Sequence, residues 1–218
     1  MTVSETPKRR RLSPDDRRTQ ILDKATRLVL QAGLSAVSME AVGRTCGISK
    51  ALVYNYFPSR DHLLAALLQR EQNDLRDRGM QTALQAKSFE DLIRQTTRLY
   101  LQQTKERGAL TQALLSDPSV ARLMQEQNRI ARDRTIRYFM REGRREYGLA
   151  AGVATAATDM LMAVTDQAGK LTASGALDIA TAEDMCVALI TGGLEKLAER
   201  QNATPCRSDT GSQGLHQA

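Results

Sequence analysis

Residues 46–60 read CGISKALVYNYFPSR, and this stretch decides how the 218-residue chain folds. Gly47 predicts a tight turn, because it takes a positive φ that a side chain resists. Ser49 then caps a short helix running to Tyr56 or Phe57. Pro58-Ser59-Arg60-Asp61 breaks the chain and restarts it, with Ser59 as the next cap. Upstream, Ser38-Met39-Glu40-Ala41 has the form of a capping box opening a short helix that Gly47 ends. Further back, Ser13-Pro14-Asp15-Asp16 opens a helix with a cap, a proline at the first position and two acids at the positive end of the dipole. Ile21, Ala25, Leu28 and Val29 repeat at helical spacing, and Gly33 stops that helix near residue 32. Three short helices with Gly47 between the second and third form a helix-turn-helix unit.

The faces of this unit separate by residue type. Met39, Val42 and Cys46 point inward, as do Ile48, Val53 and Phe57. Ser49, Lys50, Leu52, Asn55 and Tyr56 point outward, a set that suits duplex DNA. A helix N-terminus with a Ser hydroxyl can bind phosphate. Lys50 can reach a phosphate or a guanine edge, and Asn55 can pair bidentately with adenine. Leu52 suits a thymine methyl, while Tyr54, Tyr56 and Arg60 can grip the backbone. Competing roles stand beside these: Ser49 as a helix cap only, and Tyr56 as a half-buried packing residue.

From Leu34 to Val42, and again from Cys46 to Leu64, the sequence resembles the DNA-binding domain of the TetR family of bacterial transcription regulators. The resemblance covers about residues 17–64. The Gly47-Ile48-Ser49-Lys50 turn, the Tyr54-x-Tyr56-Phe57-Pro58-Ser59-Arg60 segment and the following Leu63-Leu64 carry it. It implies phosphate contacts for Tyr54 and Arg60. Two positions depart from the pattern: Leu52, where a small polar residue is common, and Cys46, where Ala is usual. The first leaves open whether Leu52 reads a base or packs internally.

Charge points the same way. Residues 1–60 carry 11 Lys/Arg against 5 Asp/Glu, a net of +6, whereas residues 61–218 carry 20 of each. The whole excess lies in the N-terminal quarter, as expected if one end faces a polyanion. Residues 1–13 read as a flexible basic arm, and Lys8 to Arg11 either extend the DNA footprint or merely solubilise. No apolar run is long enough for a membrane span, and no apolar segment follows the basic arm as a secretory signal requires. Cys46, Cys186 and Cys206 show no ligand spacing. They predict a reducing cytoplasm and neither a disulfide framework nor a metal site.

Beyond Arg60 the sequence predicts helices at about 60–84, 88–107, 109–115, 117–146, 149–173 and 179–200, with no strand. Thr181-Ala182-Glu183-Asp184 looks like a cap near the start of the last. Residues 201–218 read as a disordered tail. The expected fold is all-α: an arm (1–13), a three-helix helix-turn-helix domain (14–60), a helical body (61–200) and a tail. The resemblance implies that the body binds a ligand and dimerises.

The last helix is apolar on two faces, so it must be buried twice. Met185, Leu189 and Gly193 line one face; Val187, Ile190, Leu194 and Leu197 line the other, which is assigned to a dimer interface. A fully internal helix of a monomer is the competing reading. For the ligand, Asp159 and Asp166 share a helix face with Met162 between them and suit a cationic molecule; the competing reading pairs Asp166 with Lys170 and has Asp159 meet solvent or an arginine. Tyr100, Met124 and Tyr138 are candidate apolar lining, or core. In the helix 117–146, Arg122, Arg129, Arg132, Arg134, Arg137, Arg141, Arg144 and Arg145 form a basic run. It suits an anionic ligand or a solvated face. The two patterns ask for opposite ligand charges, so the ligand stays unassigned.

The function expected is a cytoplasmic, homodimeric, sequence-specific regulator of transcription. It acts as a repressor released from a palindromic operator by a small molecule, that mechanism being implied by the resemblance. The alternative is a DNA-binding protein of the same fold with no inducer, acting in chromosome organisation or through a protein partner. An enzyme is not expected. His62 and His216 are the only histidines, no nucleophile–base constellation exists, and no cofactor is required.

Overall fold

The computed structural model describes residues 12–203. Of the expected arm (1–13), residues 1–11, and of the expected tail (201–218), residues 204–218 with Cys206 and His216, lie outside the described residues; residues 201–203, expected to be disordered, instead continue the last helix. Eight α-helices and one 3₁₀ turn make up the fold, with no strand among the described residues. They are α1 (Pro14–Ala32), the turn Leu34–Ala36, α2 (Met39–Cys46), α3 (Lys50–Tyr56), α4 (Arg60–Gln85), α5 (Phe89–Ser116), α6 (Pro118–Tyr147), α7 (Ala151–Ala173) and α8 (Ile179–Ala203). None of these helices is long and apolar enough to cross a membrane.

Serine hydroxyls set most helix starts. Ser13, Ser38, Ser49, Ser59 and Ser88 each accept a hydrogen bond from a backbone N–H three residues on, at 3.0–3.2 Å. At Ser38 that amide is Ala41's. Glu40 therefore sits one position too early for the reciprocal bond of a capping box. Asp117 caps α6 through the amides of Ser119 and Val120, with Pro118 at the first position. α8 is capped by Asp178, whose carboxylate accepts from the Thr181 amide at 2.9 Å. The Thr181 segment is therefore past the start of the helix, and Glu183 serves a different purpose described below.

α5 is one helix where the sequence suggested two. Gly108 in mid-helix costs about 1 kcal/mol against Ala. The turns beyond it bury Leu110 and Leu114 completely, which outweighs that cost.

Two apolar cores follow. The first gathers α1, α2 and α3 with the start of α4, the end of α5 and the start of α6: Ile21, Val42, Val53, Phe57, Leu63, Leu67, Leu114 and Val120 are all buried there. The second lies among the start of α5, α7 and α8, around Leu92, Leu101, Ala157, Cys186, Ile190 and Leu194. The helix-turn-helix unit is thus packed onto α4, α5 and α6 of the body. A buried carboxylate pins the second core. Glu183, 2% exposed, accepts from Arg98 Nε at 2.6 Å and Nη2 at 3.0 Å, and from Arg94 at 3.4 Å. This pairing of α5 with α8 satisfies a charge that would otherwise be prohibitive to bury.

Candidate nucleic-acid interface

The turn between α2 and α3 has the expected geometry. Gly47 is left-handed at φ 65°, ψ 38°, and its N–H donates to Arg44 O at 3.1 Å. Ile48 N–H donates to Gly43 O at 2.9 Å. Gly43, which the sequence did not single out, matters as much as Gly47. A Cβ there would stand 3.0 Å from the Ile48 carbonyl oxygen and 3.4 Å from Lys50 N. The two helices cross over this glycine, and Cys46, buried beside it, is the second small residue at the crossing. Gly43→Ala is expected to lose more by displacing the turn than the ~1 kcal/mol it gains in helix propensity. The measurement is paired thermal melts and DNA titration, both falling; a variant that melts higher and binds equally would show that the turn yields freely.

Val53 and Phe57 face the core, and Arg18 of α1 lies 4.7 Å over the Phe57 ring. Ser49, Lys50, Tyr54 and Asn55 are exposed on the opposite face of α3, while Leu52 and Tyr56 are half-buried. The Ser49 oxygen accepts from Leu52 N–H at 3.1 Å, so it caps α3 and keeps only its own O–H for another partner.

Arg60 differs from expectation. Its guanidinium turns inward instead of standing free for a phosphate. Nε donates to Val37 O at 2.9 Å, Nη2 to Leu34 O at 2.9 Å and Nη1 to Asp117 Oδ2 at 3.2 Å. One side chain thereby joins the loop before α2, the start of α4 and the start of α6. Partial burial raises the Asp117 carboxyl. The amides of Val120 and Ser119 and the Arg60 guanidinium outweigh that and hold it below the usual carboxylate range.

The residues proposed to line a ligand pocket do not converge. Met124 is buried in the first core, while Tyr138 packs on the second. Asp159 is bound by Arg132 at 2.6 Å. Asp166 accepts from the Tyr100 hydroxyl at 3.0 Å, and burial together with that carboxylate pushes the phenol up to about 12. The acidic pair is thus committed to internal partners, and Met162 between them is only half-buried. The predicted dimer face is also turned inward: Val187, Ile190 and Leu194 are buried in this chain's own second core, and Leu197 packs against it. The outward apolar positions are instead Met185 and Leu189 on α8, 50% and 54% exposed, and Val153 and Met160 on α7, 40% and 73% exposed.

Residues 21–67 match the model of bacterial regulatory proteins of the tetR family. The domain belongs to the TetR family. The match spans the helix-turn-helix unit and the start of α4 and carries the expected resemblance. Over 64 residues the chain is 39% identical to the transcriptional repressor KstR of Rhodococcus jostii, covering 29% of this chain and 30% of that protein. The chain thus matches under a third of the length of that curated relative. Across most of the fold it is similar to a TetR-like regulator from Rhodococcus sp. RHA1, with a TM-score of 0.67 at 22% identity, covering 84% of this chain and 98% of that one. It is also similar to FadR from Bacillus subtilis in complex with stearoyl-CoA, with a TM-score of 0.65 at 15% identity, covering 80% and 98%. The body therefore shares the fold of TetR-family regulators, and the family model itself matches residues 21–67.

Proposed function

We propose that the chain is a homodimeric regulator of transcription, a repressor by the same reading, that places the exposed face of α3 in the major groove of a palindromic operator. The observation that carries this is the face itself: Lys50, Tyr54 and Asn55 stand exposed on a capped helix whose back is locked by Val53 and Phe57. Residues 14–60 read the DNA, and residues 61–200 dimerise and take the effector. In this reading Tyr54 and Lys50 hold phosphates or a guanine, Asn55 reads adenine and Leu52 packs at the edge of the contact. Tyr56 supports from its half-buried position. The outer faces of α7 and α8 pair two copies about a two-fold axis, so that two α3 helices meet successive major grooves.

The link between body and reader runs through Arg60. Because Asp117 caps α6, any shift of that helix end pulls on the loop before α2 through one guanidinium. A small-molecule effector that moved α6 would then change the separation of the two α3 helices. Support for an effector is at the level of fold only: FadR, which shares the architecture, was solved with stearoyl-CoA.

Selection of binding sites from a random DNA pool tests the reader. Lys50→Ala is expected to weaken binding to all sequences and to reduce the salt slope by about one phosphate contact. Asn55→Ala is expected to alter the selected sequence at one position in each half-site. An unchanged selected site for Asn55→Ala would remove its base contact, and no selected site for the unmodified protein would remove the reading.

A further inference from the structure

The second basic surface lies at the other end of α6. A cleft of about 610 Å³ opens beside its last turns. Four arginines line it, Arg137, Arg141, Arg144 and Arg145, over an apolar floor of Met140 and Leu149. Their spacing sets them on one helix face, and the left-handed Gly148, at φ 66°, turns the chain so that Leu149 closes the floor. The cleft has no carboxylate in its lining. Arg141 Nε donates to the adjacent Glu142 at 3.0 Å and the guanidinium lies 5.3 Å from the Tyr138 ring; Arg144 Nε donates to Leu149 O at 3.2 Å. Arg137 and Arg145 make no hydrogen bond or ion pair to any described residue.

Three ordinary explanations fall short. Arg144 and Arg145 suit the negative end of the helix dipole, but that field fades within the last turn and does not account for Arg137 and Arg141. A solvated basic run needs no concavity; upstream on the same helix Arg129 pairs with Glu126 and Asp133 and Arg132 with Asp159, while Arg122 and Arg134, which make no ion pair to a described residue, lie outside this cleft. Operator DNA is out of reach. The 30-residue α6, capped by Asp117, starts beside the reader, and its far end is roughly 45 Å away at 1.5 Å per residue. What remains is an open, shallow depression of small-ligand size with a positive lining.

We propose that this cleft binds a pyrophosphate-bearing small molecule. Planar guanidinium forks match phosphate oxygens two at a time, and several on successive turns fit adjacent phosphoryl groups better than a single carboxylate. The bound anion relieves the mutual repulsion of the four cations. The proposal does not depend on the DNA-binding reading, and it is measured without DNA.

The test is calorimetric titration of the full chain with inorganic pyrophosphate, against sodium chloride at matched ionic strength. Saturable binding with a Kd at or below about 0.1 mM is expected. Arg137→Gln with Arg145→Gln, which breaks no internal bond, is expected to weaken it at least about tenfold at an unchanged melting temperature. Backbone amides of residues 137–149 are expected to exchange more slowly with pyrophosphate bound. Absence of saturable binding overturns the proposal. So does equal affinity in the double variant, which would place the anion away from Arg137 and Arg145. Capture by phosphatidylglycerol vesicles through the same arginines, without binding of free pyrophosphate, overturns the small-molecule assignment in favour of a lipid surface.

Discussion

Arg60→Ala is expected to destabilise the protein and to weaken DNA binding without altering its salt dependence. The residue was the natural candidate for a phosphate contact, and a lost phosphate contact lowers the salt slope by about 0.9 for duplex DNA. Its geometry argues otherwise. All three donor positions that it uses face protein acceptors, two of them backbone carbonyls of the loop that precedes α2. Charge-assisted bonds of this kind contribute about 1.5–3 kcal/mol each when fully buried. With the Arg60 side chain 33% exposed, water replaces part of the loss, and about 2–3 kcal/mol in total is the expected destabilisation. DNA binding falls because α2 loses its brace. Lys50→Ala provides the contrast, with a smaller effect on stability and a reduced salt slope. Equal loss of salt slope in both variants would return Arg60 to the DNA backbone.

Asp117 extends the same prediction to pH. A carboxyl held below its unfolded value contributes stability that is present above that value and is lost as pH falls through the folded one. The loss therefore begins below about pH 4, the ordinary range of an aspartate. Asp117→Asn keeps an acceptor for the amides of Ser119 and Val120 but gives up the charge. Its stability is expected to be lower near neutrality and to converge on that of the unmodified protein under acid. Parallel acid curves would mean that the Arg60 pair contributes nothing measurable.

The reader domain was legible because each of its constraints is local. A capping serine, a left-handed glycine and a breaking proline act within four residues of themselves, and the structure puts Ser49, Gly47 and Pro58 where those rules put them. What depends on a distant partner was not legible. Gly43 looks like an unremarkable helix residue until α3 crosses it. Arg60 looks like a surface base until Leu34, Val37 and Asp117 surround it. Glu183 looks like part of a cap, but α5 brings two arginines to it and makes it an internal pin. The acidic pair on α7 shows the same limit: i,i+7 spacing placed Asp159 and Asp166 on one face, while Arg132 and Tyr100, which occupy them, come from other helices. Periodicity also separated the two apolar faces of α8, but the strength of each stripe does not say which meets the chain's own core. That is decided by α5 and α7. They take Val187, Ile190 and Leu194 and leave Met185 and Leu189 outside.

That division gives the second large effect. Leu189→Asp is expected to convert the protein to a folded monomer with operator affinity reduced at least about a hundredfold. Leu189 is 54% exposed, so an aspartate there costs the isolated chain little. In a two-fold interface the substitution occurs twice and sets two carboxylates in a patch that includes Met185 of α8 and Met160 of α7. Both carboxylates would be drawn out of water into that apolar patch, and charges are costly to desolvate. A monomer then holds one half-site with half the phosphate contacts, which is why DNA affinity should fall far more than stability. Leu194→Asp is the necessary comparison. With Leu194 only 4% exposed, it should lower the melting temperature sharply whether or not a dimer exists. Sedimentation velocity and thermal melts on both variants separate the cases. Monomers from Leu189→Asp at an unchanged melting temperature put the interface on the outer face of α7 and α8. A dimer that survives Leu189→Asp would mean that this face is not where two copies meet, and that a different surface carries the pairing that a palindromic operator requires.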